Sequence, residues 1–135
     1  MGIPDEWLYE YALVRFVPRV DREEFLNIGL IMMNKRRKWL KGKILLDKPR
    51  LSAFYPKVDI ESLFLQSCLF EMDDVPGKEL PVEEKYRWLS AVKSACIQVS
   101  PSHPGIVPDN HTESRPFEEV MEAEFTRLFK DLVAI

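Results

Sequence analysis

Three polar residues stand in or beside the most hydrophobic third of the chain: Arg15, Glu24 and Asn27. A charged side chain among apolar neighbours must be paired, or must face solvent or a ligand. If 9–17 and 25–33 pair as a hairpin with Val17 opposite Phe25, Arg15 falls opposite Asn27 on one face. Glu24, at the loop end, then approaches Arg15 or Arg22. Arg15, Arg22, Glu24 and Asn27 are therefore the candidate polar site. Such a group is either a small anion site or partner hot spot, or an internal ion pair that braces the turn and fixes register. Gly29, two residues further, admits close approach of a bulky neighbour such as Tyr11 or Leu13.

A second candidate is electrostatic. Between positions 35 and 57 nine lysines and arginines oppose only Asp47, a net +8, whereas the whole chain is −3, so the remainder carries −11. A phosphate backbone or an acidic partner exploits such asymmetry. Within the basic stretch 35–50, Lys35, Arg36, Arg37, Lys38, Lys41 and Lys43 form the candidate anion or nucleic-acid surface, with Trp39 and Tyr55 available for stacking. The competing reading is that lysines on an exposed strand keep its edge from pairing with other chains. A pI near 5.5 also argues against a dedicated nucleic-acid binder.

Other chemistry is sparse. His103, Asp109 and His111 are donors of the kind zinc takes, but their spacing fits no familiar metal motif and they sit in a proline-rich stretch. No nucleophile elbow, phosphate loop, dinucleotide fingerprint or zincin helix is present. The acid pairs Asp73-Asp74 and Glu118-Glu119 are adjacent, so their carboxylates diverge. Cys68 and Cys96 lie in apolar periodic segments and read as buried reduced thiols. No cofactor or metal is expected.

The elements that position these residues follow from period and punctuation. Residues 9–17, 25–33 and 39–46 read as three strands with short links, hence an antiparallel meander. In the third, Leu40, Gly42, Ile44 and Leu46 alternate with Lys41 and Lys43, which predicts one wet face. Asp59 caps a helix in which Ile60, Leu63, Phe64 and Ser67/Cys68 recur at helical spacing, with Val58 stapled onto Leu63. A second helix starts at Pro81 and runs through Val82, Tyr86, Leu89 and Val92. A short strand spans 96–99, a loop spans 100–116, and a last helix carries Phe117, Val120/Met121, Phe125, Leu128/Phe129 and Leu132. The expected fold is α+β: an antiparallel sheet of about four strands, order β-β-β-α-α-β-α, with helices mainly on one face.

The first third resembles a known family. Tyr11, the run Val14-Arg15-Phe16-Val17-Pro18, then Arg22 and Glu24-Phe25-Leu26-Asn27-Ile28-Gly29 resemble domain-of-unknown-function family 3037, a bacterial family. Ile97-Gln98-Val99-Ser100 and Leu128-Phe129 followed by Leu132-Val133 are similar to that family's tail. One position departs: the family often has a small residue before the glutamate, where this chain has Glu23. The resemblance implies no activity. It implies a partner, because such proteins are often encoded beside a kinase-like protein related to the toxin half of toxin–antitoxin pairs.

At 135 residues one domain is expected. No basic-then-apolar leader is visible, and the most apolar run is too short to span a bilayer, so a cytoplasmic location without a membrane is expected. The expected function is a non-catalytic interaction or regulatory module for another protein. The alternatives are a nucleic-acid or phosphate binder using the basic stretch, and an enzyme with Arg15, Glu24 and Asn27 in its site.

Overall fold

The computed structural model describes residues 5–71, 80–91, 94, 96–108 and 115–134. Among these the chain forms β1 (Leu8–Phe16), β2 (Leu26–Asn34), β3 (Trp39–Ile44), α1 (Lys48–Phe54), α2 (Ile60–Ser67), α3 (Val82–Ser90), β4 (Ile97–Val99), β5 (His103–Ile106) and α4 (Phe117–Leu132). The sheet order is β3-β2-β1-β4, all antiparallel, with β5 also paired to β1. The fold is α+β, as the pattern of periods predicts.

β1 and β2 are apolar on both faces, so both faces need a cover. Ala12, Val14, Phe16, Ile28, Ile31 and Met33 pack with Leu51, Leu63, Tyr86 and Leu89, so α1, α2 and α3 cover one side. Tyr9, Leu30 and Met32 pack with Val120, Met121, Phe125, Leu128 and Phe129, so α4 covers the other. Three of the four described helices thus share one face, and the longest takes the opposite one.

Register follows the residues. Arg15 does stand opposite Asn27. A bulge is what permits it: Val14 pairs with Gly29 but Arg15 pairs with Asn27, so Ile28 is the extra residue. Without that insertion Asn27 would share the face of Gly29; with it, Asn27 turns to Arg15 on the α4 side. Gly29 is indeed crowded, though by Ile44, the Lys43 carbonyl and Val14 rather than by Tyr11 or Leu13. Gly42 lies directly under the Phe70 carbonyl, where a Cβ would overlap it.

Two elements depart from the sequence reading. α1 forms between the third strand and the Asp59-capped helix, where the sequence reading places no element. Pro49 sits in its first turn, where the missing N–H costs nothing, and the Asp47 carboxylate accepts from the Arg50 N–H at 3.1 Å. β5 forms inside the expected 100–116 loop and extends the β4 edge. Between them Ser100 keeps the ladder going: its N–H donates to the Leu13 carbonyl at 2.9 Å, and its hydroxyl accepts from the Leu13 N–H at 2.9 Å. Asp59 caps α2 as expected, accepting from the Ser62 N–H at 3.0 Å, and Val58 packs in the same cluster as Leu63. α3 ends at Ser90; Val92 and the Asp73-Asp74 pair lie outside the described residues.

Candidate functional site

The four residues of the polar site separate into two places. On the α4 face, the Arg15 guanidinium lies 4.0 Å over the ring of Phe25, a cation–π contact worth roughly 0.5–2 kcal/mol. Its Nε is buried with no partner. Asn27 donates its Nδ2–H to the Leu132 carbonyl at 3.2 Å, while its Oδ1 is buried and unpaired. Arg50 donates to the neighbouring Val133 carbonyl at 2.5 Å. The carbonyls that end a helix lack intrahelical donors and carry partial negative charge. Asn27 and Arg50 supply donors there, latching the end of α4 to β2 and α1.

Arg22 and Glu24 lie elsewhere, as an exposed ion pair of 2.5 Å. They line a cavity of about 300 Å³ with Pro18, Arg19, Phe54, Tyr55 and Pro56. Glu24 therefore meets Arg22, the second of its two expected partners. Arg15 and Asn27 line neither this cavity nor the larger ones of about 330 and 610 Å³.

The basic stretch is distributed over the molecule and met by acids and rings. Lys35 lies 3.2 Å from Glu83 of α3, Arg37 lies 3.4 Å from Glu6 and 4.2 Å over Phe117, and Lys41 pairs with Glu122 of α4. Lys43 stands 4.9 Å over Phe129. Lys41 and Lys43, expected on a wet strand face, are instead partly roofed by α4. Arg36 and Lys38 sit exposed in the hairpin tip, Lys38 with a left-handed φ of 53°.

One polar cluster escaped the sequence reading. The Tyr9 hydroxyl donates to Glu124 Oε2 at 2.6 Å, and Arg127 clamps the same carboxylate through two bonds of 2.8 Å. Glu124 is 3% exposed. Burial, and then the hydrogen bond to Glu124, push the Tyr9 phenol well above its usual value. The bond to Glu124 likewise raises Arg127. With the Glu124 carboxylate buried and Arg127 reaching it from the half-exposed side, this group braces β1 against α4. The signal was available: Glu124 interrupts the apolar stripe of the last helix at an inward position, with an arginine three residues on.

The remaining candidates stay dispersed. His103 lies against Tyr11, ring centres 5.3 Å apart, while Asp109 and His111 are outside the described residues. No three metal-ligating side chains converge among the described residues. Cys68 and Cys96 are free thiols, half-buried rather than fully enclosed. No described helix is long and apolar enough to cross a membrane.

An antiparallel sheet covered by helices on both faces defines an α+β protein. The chain belongs to the family described as Protein of unknown function (DUF3037), whose model matches residues 11–133. No curated protein and no solved structure matches it.

Proposed function

We propose that the protein is a non-catalytic interaction module that docks on another protein through the outward side of α2. The observation that carries this reading is the exposure of Phe64 and Leu65, 58% and 65%, on a helix whose opposite side enters the core. Glu61, Phe64, Leu65 and Cys68 follow the i, i+3, i+4, i+7 spacing of a helix laid in a groove. Isolated exposed apolar residues are ordinary, but two large neighbours on one helix face form a patch. Burying each is worth roughly 1.5–3 kcal/mol.

Exposed Asp59 and Glu61 flank the patch, and the chain outside 35–57 is strongly acidic. Both favour a partner with an apolar groove and a basic rim. The kinase-like neighbour that the family resemblance implies is the partner proposed here, in a bacterial cytoplasmic setting. The nucleic-acid reading has less support, since the cations are divided between the β2–β3 turn and the α4 face, where Lys41 pairs with Glu122 and Lys43 lies over Phe129. An enzyme built on Arg15 and Asn27 has less support too, because neither opens into a cleft.

Co-expression with the protein encoded beside the gene tests this. The wild type should co-purify with it, and Phe64→Asp/Leu65→Asp should not. Failure of the wild type to co-purify, or retention by the double variant, would overturn the reading.

A further inference from the structure

A cavity of about 610 Å³ lies where β5, β1 and β2 end side by side. Its size falls within the roughly 300–1,000 Å³ typical of small-molecule sites. Pro104 pairs with Glu10 and Glu10 with Met33, so these three share one face of three adjacent strands and form a row. Leu8, two residues before Glu10 and 41% exposed, continues that face toward the mouth. The β2–β3 turn brings Lys35 and Arg36 to the rim.

The polar groups are held in place. Tyr86 and Ser102 share a hydrogen bond of 2.8 Å, and the Ser102 hydroxyl donates to Glu10 at 3.1 Å. A hydroxyl donates only once, so Tyr86 donates to Ser102 and Ser102 to Glu10. Burial pushes the Tyr86 phenol up to about 12, which keeps that donor protonated. On the rim, Lys35 meets Glu83 at 3.2 Å with its side chain 67% exposed. Such a pair is worth about 0–1 kcal/mol and exchanges readily for another anion.

We infer that this cavity binds a small amphipathic organic anion, its apolar body over Leu8 and Pro104 and its acidic group at Lys35 and Arg36. Glu10, fixed from beneath, accepts from a hydroxyl or amino group at the other end and rejects a second negative charge there. The pocket is separate from the α2 face and does not depend on partner docking.

The test uses the full chain and the fluorescent anion 8-anilinonaphthalene-1-sulfonate, displaced by 3-phenylpropionate or hexyl phosphate to separate carboxylate from phosphate ligands. Saturable single-site binding is expected. Leu8→Glu, and Lys35→Gln/Arg36→Gln, should each weaken it by about tenfold or more, roughly 1.4 kcal/mol. Leu8→Gln, which keeps the mouth neutral, should bind within about threefold of wild type, and circular dichroism checks that each variant is folded. Binding that is non-saturable, that survives Leu8→Glu in a folded protein, or that is abolished by Phe64→Asp/Leu65→Asp instead, would overturn the assignment.

Discussion

The phenolic hydroxyl of Tyr9 donates to a Glu124 carboxylate oxygen 2.6 Å away, tying the first strand to the last helix across 115 residues of chain. Arg127 completes the group with a two-point clamp on that carboxylate. A buried carboxylate that loses a donor keeps its desolvation cost, so Tyr9→Phe should destabilise by about 1–3 kcal/mol at neutral pH. Urea unfolding measures this.

Burial of the tyrosines sets a pH dependence, to which the Tyr9–Glu124 bond adds. Tyr9 and Tyr86 hold their protons in the folded state above the ordinary tyrosine value of 10.0, chiefly through burial. An unfolded chain releases them near that value, so their stabilisation is complete below it and is lost as pH rises toward the folded values. Between about pH 10 and 12 the stability of Tyr9→Phe should fall less steeply than wild type, by up to about 1.4 kcal/mol per pH unit. Equal slopes would mean that Tyr9 ionises as freely folded as unfolded.

Glu23 sits at φ 54°, a left-handed conformation that suits glycine. Glu23→Gly should raise stability by ~0.5–1 kcal/mol, because a side chain there costs about 1–2 kcal/mol and glycine's greater unfolded freedom returns part of it. A lower urea midpoint would contradict the backbone account.

Lys41 pairs with Glu122 and lies 5.1 Å from the Phe125 ring, so it works within the fold. Lys41→Glu should lower stability by about 1 kcal/mol and Glu122→Lys should restore it in the double variant. A labelled DNA duplex should show no saturable binding at physiological salt. Steeply salt-dependent binding that Lys41→Glu/Lys43→Glu abolishes would favour the nucleic-acid reading instead.

Much of the architecture was legible because local chemistry and global packing agree. Pro18 and the polar link after it set the first hairpin, which placed Arg15 opposite Asn27; Asp59 marked the start of α2. The bulge at Ile28 was not legible, since nothing in the residue types announces an extra position. Pro104-Gly105 concealed β5, because proline cannot donate to a ladder and is tolerated only where its nitrogen faces away from the sheet. The opposite placement of α4 follows from β1 and β2 being apolar on both faces, a feature visible in the sequence that demands a second cover. The polar site divided because Arg22 and Glu24 pair with each other, while Asn27 serves the end of a helix about a hundred residues away.

The outward face of α2 is tested most directly by purifying the proposed partner, the kinase-like protein expected beside the gene, and titrating it calorimetrically with wild type and with Phe64→Asp/Leu65→Asp. The account predicts a saturable complex whose dissociation constant rises by about 100-fold or more in the double variant, as expected for two central apolar anchors. No heat of binding with wild type, or equal affinity for both proteins, would contradict it.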